Sequence, residues 1–105
     1  MQFTSYLENG RLTIALAGEI DHHRAKKYMQ AIASKIEAYM PKTCVLDFQD
    51  VGFVDSSGIA VVISALRGMN RIGGTLMLCG LGDQPLKVFR MSGIDKLIEI
   101  KEGIL

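Results

Sequence analysis

Few residues in this chain have side chains suited to chemistry. His22 and His23 are the two histidines. Adjacent residues on a helix point about 100° apart, so the pair cannot grip a metal ion together without further ligands. The plainer role is a place in a first helical turn, in solvent or against a partner. A serine hydrolase needs a nucleophile elbow, G-x-S-x-G, and the window Val54-Asp55-Ser56-Ser57-Gly58-Ile59 fails that pattern around either serine. Both histidines also precede the serines, opposite to the α/β-hydrolase order. Gly80-Leu81-Gly82 follows an apolar run, but Pro85 stands where the next glycine of a dinucleotide fingerprint belongs, so the stretch reads as a turn. No G-x-x-x-x-G-K-[ST] loop exists to seat a nucleotide for hydrolysis. Asp47, Asp50 and Asp55 suggest a cation site by spacing alone, yet Asp47 sits inside an apolar run and a solvated loop rim is the simpler reading. The expectation is a chain with no catalytic residue, no cofactor and no metal ligand, and not an enzyme.

What remains is Asp55-Ser56-Ser57-Gly58, directly before an apolar-periodic segment. Asp and Ser are ordinary helix caps, and capping alone accounts for them on composition. The same placement has a second consequence. A serine at a helix start presents its hydroxyl at the positive end of the helix dipole, beside backbone N–H groups that lack intrahelical partners. A phosphate on that hydroxyl adds about −1.5 to −2 charge and three acceptors, and a helix start tolerates it. The fold would survive while its surface changed.

The elements that must position this junction follow from periodicity. Phe3–Leu7 and Arg11–Ala17 are strand-like and flank Glu8-Asn9-Gly10, and Asn-Gly is a strong hairpin signal. Asp21 is a good N-cap, and Ala25, Met29, Ile32, Ile36 and Met40 recur at helical spacing until Pro41. Thr43–Phe48 reads as a buried strand and Gln49 to Asp55 as a connector containing Gly52. Ser56 or Ser57 then caps a helix with Ile59, Val62, Ile63, Leu66 and Met69 on its apolar face, ended by Gly73-Gly74. Thr75–Cys79 is a strand, Gly80–Gln84 a loop, Pro85–Met91 a short helix and Leu97–Ile100 a last strand. The predicted class is α/β: a mixed β-sheet with an N-terminal antiparallel hairpin, followed by alternating helices and parallel strands joined by right-handed crossovers.

Composition fits one such domain spanning residues 1–105. The chain has 105 residues with 49% apolar and 22% charged, enough to bury one core. Twelve Lys+Arg against eleven Asp+Glu give a net charge of +1, with Lys26-Lys27 the one adjacent basic pair, so no direct nucleic-acid partner is expected. The longest unbroken apolar run, Ile59–Ile63, is far too short to cross a membrane, and the N-terminus lacks the form of a signal peptide. Cys44 and Cys79 read as buried thiols of a reducing compartment. A cytoplasmic protein with no membrane partner is the expectation.

Phe53-Val-Asp-Ser-Ser-Gly-Ile59, preceded by Val45-Leu-Asp-Phe48, resembles the phosphorylation motif of the STAS-domain anti-sigma factor antagonists of bacteria. The similarity continues through Gly18-Glu-Ile-Asp-His-His23, Ile72-Gly-Gly-Thr-Leu-Met-Leu-Cys79 and Met91-Ser-Gly-Ile94, and so covers the chain from about residue 3 to residue 100. The Asp-His-His segment and the Met-Ser-Gly ending resemble the sporulation-type antagonist. The resemblance implies a protein switch. The unphosphorylated antagonist binds an anti-sigma factor that is itself a serine kinase, which frees a sigma factor. The kinase then phosphorylates the antagonist, and a serine phosphatase restores it. By resemblance the phosphoacceptor is Ser56, and Asp21, Asp55, Ser57 and Gly58 contact the partner, with Gly58 allowing close approach. A short final helix is left open, because the chain ends sooner after its last strand than some family members do.

Two other readings carry weight beside this one. A STAS interaction module outside sigma control, such as a stressosome-like scaffold, would share the motifs. A small-ligand or nucleotide binder would use Gly80-Leu81-Gly82 and the helix start at Ser56 as an anion cradle. The identity of the kinase, the sigma factor served and the oligomeric state are not written in these residues.

Overall fold

A computed structural model of the chain describes residues 2–102. β1 (Gln2–Glu8) and β2 (Arg11–Ile20) form an antiparallel hairpin, followed by α1 (Ala25–Tyr39), β3 (Thr43–Val54) and α2 (Ser57–Arg71). β4 (Thr75–Cys79), α3 (Asp83–Ser92), a 3₁₀ turn (Ile94–Lys96) and β5 (Glu99–Lys101) complete it. The five strands lie in the order β1-β2-β3-β4-β5, and every pairing after the first is parallel. The mixed sheet, its antiparallel edge and the strand–helix alternation are as the sequence predicts. The question of a final helix falls on residues 103–105, outside those described.

The hairpin turn has its predicted cause. Asn9 and Gly10 both take positive φ, 53° and 79°, the two-residue turn whose twist matches the flanking strands. Along β2, β3 and β4 side chains alternate, and Leu12, Ile14, Leu46, Phe48, Leu76 and Leu78 face the helices. Tyr28, Ile32 and Ile36 of α1, Val61, Val62 and Met69 of α2 and Phe89 of α3 join them in one buried cluster. Fully burying a side chain of this kind contributes about 1.5–3 kcal/mol, so this cluster is the main stabilising term. Val45, Met77 and Cys79 occupy the alternate positions and form a second, smaller cluster without a helix residue. Cys44 belongs to the first cluster and Cys79 to the second, both buried, and burial pushes the Cys44 thiol up to about 12.

Five boundaries differ from expectation, the largest of them for a tertiary reason. The stretch from Gln49, read as a connector, continues β3 to Val54, because β2 extends to Ile20 and pairs with it through Ile20↔Val54. Register shifts between Ala15 and Ala17 and between Gly18 and Glu19 accommodate this pairing, so Gly18 lies inside a strand. α1 begins at Ala25, after a turn at residues 22–24, and Tyr28 rather than the exposed Met40 fills its buried stripe. Met40 itself closes α1 in the left-handed conformation, φ 44°, with Pro41 next. α3 begins at Asp83, two residues before Pro85, and the last strand is Glu99–Lys101 because Leu97 and Ile98 belong to the 3₁₀ exit.

Candidate functional site

β2 and β3 run parallel and end side by side at Ile20 and Val54. The next residues, Asp21 and Asp55, therefore emerge together at one end of the sheet. The Asp55 N–H donates to the Ile20 carbonyl at 3.1 Å, and the His22 N–H donates to Asp55 Oδ2 at 3.2 Å, so the two segments are tied in both directions. The structure thus brings the segments carrying Asp21 and Asp55-Ser56-Ser57 together at one end of the sheet. How they divide the work differs.

Asp55, not a serine, caps α2. Its Oδ1 accepts the Ser57 N–H at 2.7 Å and its carbonyl accepts the Gly58 N–H at 2.9 Å, while the Ser56 carbonyl accepts the Ile59 N–H at 3.1 Å. Ser56 occupies the N-cap position with φ −60° and ψ −21°, in helical rather than extended conformation, and makes no side-chain cap bond. Its side chain is exposed. This corrects the expectation that a serine caps the helix, and it frees the Ser56 hydroxyl from structural duty. The amides of Ser57, Gly58 and Ile59, at the helix start where intrahelical partners run out, all find acceptors on Asp55 or Ser56.

Gly58, expected among the partner-contacting residues, is buried. A Cβ built there would lie 2.0 Å from Val54 Cγ1, so its missing side chain makes room for Val54 within the fold. Asp21 works at the start of α1: its Oδ1 accepts the N–H groups of His23 at 3.1 Å and Arg24 at 3.0 Å, and Arg24 Nη1 donates to Oδ2 at 2.9 Å. Arg24 also reaches Glu19, at 3.7 Å. His22 and His23, expected to diverge as helix neighbours, lie in the preceding turn with ring centroids 3.9 Å apart. Behind them the Tyr28 hydroxyl donates to the Ala17 carbonyl at 2.6 Å; burial pushes its pKa up, Arg24 pulls it down less and Asp21 adds to the rise.

The remaining candidates resolve into structure. Asp47 lies within β3 as expected, Asp50 lies within β3 too rather than on a loop rim, and Asp47 Oδ1 accepts the Gln49 N–H at 2.9 Å. Among the described residues no group of three or more His, Cys, Asp or Glu side chains is placed to hold a metal ion, and no helix is long and apolar enough to cross a membrane. Gly80 takes φ +70°, and a Cβ there would meet Asp47 Oδ1 at 2.6 Å and the Gln49 nitrogen at 2.9 Å, so the glycine turn answers a backbone approach. A surface cleft of about 360 Å³ between α3 and β5 takes in Leu81, Leu86, Arg90 and Lys101, and none of the residues around Ser56.

The family model that matches residues 4–104 is that of the STAS domain. The chain belongs to the STAS domain family. It is 31% identical over 97 residues to the anti-sigma-B factor antagonist of Listeria monocytogenes, covering 90% of this chain and 82% of that protein. It is 29% identical over 94 residues to the anti-sigma F factor antagonist of Paenibacillus polymyxa, covering 90% of this chain and 80% of the relative. Among solved structures, the unphosphorylated anti-sigma factor antagonist SpoIIAA superposes with a TM-score of 0.82 at 25% identity, over 98% of this chain and 89% of that one. The phosphorylated form of the Bacillus SpoIIAA superposes with a TM-score of 0.74 over 98% of this chain and 92% of that one, also at 25% identity. In this STAS domain the parallel pairing of β2 with β3 out to Ile20↔Val54 is what sets Asp21 and Asp55 at the same end of the sheet.

The sequence assigns no role at the site to two residues of this STAS domain that bear on it. Gln84 bonds to both backbone polar groups of Val54 across thirty positions. Phe53 is 41% exposed next to the site. Gln84 carries no sequence signal, since its role depends on where α3 begins. Phe53 was legible as an apolar residue inside the motif, but its exposure follows from the unexpected length of β3.

Proposed function

We propose that this chain is an anti-sigma factor antagonist whose binding is switched by phosphorylation of Ser56. The unphosphorylated form docks on an anti-sigma factor that is also a serine kinase, and a sigma factor is released. The kinase transfers the γ-phosphoryl group of ATP: the bond from Pγ to the ADP oxygen breaks, Ser56 Oγ forms the new P–O bond, and its proton passes to a base of the kinase. A serine phosphatase hydrolyses the ester and restores the antagonist. The observation that carries this reading is the division of labour between Asp55 and Ser56. Because Asp55 holds the helix start, the Ser56 hydroxyl is exposed and unused by the fold.

The electrostatics support the same reading. A phosphate moves the net charge of the chain from +1 to about −1, next to the carboxylate of Asp55 and close to the segment carrying Asp21. A docked partner then meets a new anion that must be desolvated, at a cost of several kcal/mol in binding. The helix start absorbs the same charge at little cost to the fold. Asp21, Asp55 and Ser57 are the polar partner contacts in this reading, and the exposed Phe53 ring supplies an apolar one. Relatives named as anti-sigma factor antagonists, and SpoIIAA solved with and without phosphorylation, support it from outside. A nucleotide cradle at the Ser56 helix start is disfavoured, because the amides of Ser57, Gly58 and Ile59 already have acceptors.

The test is mass spectrometry after incubation with an anti-sigma factor serine kinase and ATP. One phosphate on Ser56 is expected, and phosphate confined to Ser57 overturns the assignment. Ser56→Asp is expected to bind the kinase at least about tenfold more weakly than the unmodified chain.

A further inference from the structure

β3 outruns its neighbour. Its pairing with β4 ends at Asp47↔Cys79, yet β3 continues to Val54 with β2 on its other edge. A strand edge left open in this way presents backbone N–H and C=O groups without a ladder partner. At Val54 one side chain takes both. Gln84 Oε1 accepts the Val54 N–H at 2.8 Å, and Gln84 Nε2 donates to the Val54 carbonyl at 2.7 Å. A primary amide carries the same donor and acceptor as a peptide group, so Gln84 serves as a strand one residue long.

Val54 is the last residue of β3 and the one the α2 start leans on. Its side chain is fully buried and fills the space left open at Gly58. On the opposite edge it is paired with Ile20, and the following Asp55 N–H donates to the Ile20 carbonyl. Val54 is thus fixed from both sides, by β2 and by the first turn of α3, immediately before Asp55 and Ser56. Pro85, buried beside Gln84, stiffens the turn from which Gln84 reaches.

We propose that Gln84 is a positioning residue for the phosphoacceptor: by clamping Val54 it sets where the α2 N-terminus, and with it the Ser56 hydroxyl, sits relative to a docked kinase. The proposal rests on Ser56 being the phosphoacceptor, but part of its test does not. Gln84→Met keeps the length of the side chain and removes both hydrogen bonds. In the free chain, amide hydrogen exchange of Gln84→Met is expected to quicken about tenfold or more at Ser57 and Gly58 as well as Val54, with Leu12, Leu46 and Leu78 unchanged. Wild-type exchange at Ser57 and Gly58, or equal quickening throughout the sheet, overturns the proposal. With an anti-sigma factor serine kinase and ATP, kcat for Ser56 phosphorylation is expected to fall about tenfold, with KM within about twofold of wild type. Gln84→Glu keeps the acceptor for the Val54 N–H, loses the donor, and is expected to lie at or below Gln84→Met. An unchanged kcat in either variant overturns the proposal. If the wild-type chain itself takes no phosphate at Ser56, the assignment of the phosphoacceptor fails instead, and the exchange pattern still decides whether Gln84 holds the loop.

Discussion

The helix starts of α1 and α2 leave the sheet side by side, each introduced by an aspartate, and the two aspartates are satisfied in different ways. Asp21 is served from its own segment: the amides of His23 and Arg24 and the Arg24 guanidinium all lie within three residues of it. Asp55 accepts from Ser57 in its own segment and from His22 in the other, and the residue before it is clamped by Gln84 from α3. One start is local and the other is assembled from three parts of the fold. A local turn can form early and tolerate damage, whereas an assembled one holds its geometry only when the tertiary structure is in place. The assembled start is the one that carries the exposed serine. Its rigidity comes from elsewhere, so Ser56 itself is left with nothing to hold.

The sharpest way to break this contrast is Gly58→Ala. A methyl group there would lie 2.0 Å from Val54 Cγ1, far inside van der Waals contact, and Val54 is β-branched and fully buried, so it cannot swing aside. Alanine in a helix gains about 0.5–1 kcal/mol over glycine, but overpacking costs about 1–3 kcal/mol, and with Val54 locked by Gln84 a net loss of about 2 kcal/mol is expected. Urea denaturation measures it. Adding Val54→Ala to Gly58→Ala removes the colliding methyl groups and should make the pair less damaging than the sum of the single changes. Strict additivity would show that the contact does not govern the α2 start.

Next in size is the pair Asp55→Ala and Asp21→Ala. Losing an N-cap acceptor costs about 0.5–2 kcal/mol. Asp55 supports a part-buried amide and ties in the second segment, which places it near the upper end, at about 1–2 kcal/mol. Asp21 is expected at the lower end, about 0.5–1 kcal/mol, because the carbonyl of Asp21 still accepts from Arg24 and Ala25 after truncation and Arg24 still has Glu19. Thermal denaturation of the two variants ranks them. A larger loss for Asp21→Ala would invert the contrast between a local and an assembled start.

The same contrast explains what could be read from the residues alone. The hairpin at Asn9-Gly10, both long helices and the sheet class were legible because their causes are local: turn chemistry, apolar period and breakers. Asp21 and Asp55 were legible as acidic residues before helices. The length of β3 was not, because Gln49–Val54 is strand only through pairing with an equally extended β2, across register shifts at Ala17 and Gly18. The exchange of capping roles between Ser56 and Asp55 was also hidden, since either residue type caps well and the φ and ψ of Ser56 decide the matter. Gly58 looked like a residue that admits a partner until the length of β3 placed Val54 against it. Gln84 had no local signature at all.

The smallest expected stability change belongs to Ser56, the proposed phosphoacceptor. Ser56 is exposed and its side chain makes no cap bond, so Ser56→Ala removes no structural hydrogen bond and is expected to shift stability by no more than about 0.5 kcal/mol. Had Ser56 been the cap, the same change would cost about 1 kcal/mol and unfold the helix start along with the function, and loss of phosphorylation would prove nothing about chemistry. Because Asp55 carries the cap, the two effects separate. Ser56→Ala should melt with the wild-type chain, take no phosphate from an anti-sigma factor serine kinase, and still capture that kinase with an affinity that ATP no longer weakens. A Tm drop comparable to that of Asp55→Ala would mean that the hydroxyl is part of the scaffold after all, and the division between the residue that holds and the residue that reacts would be lost.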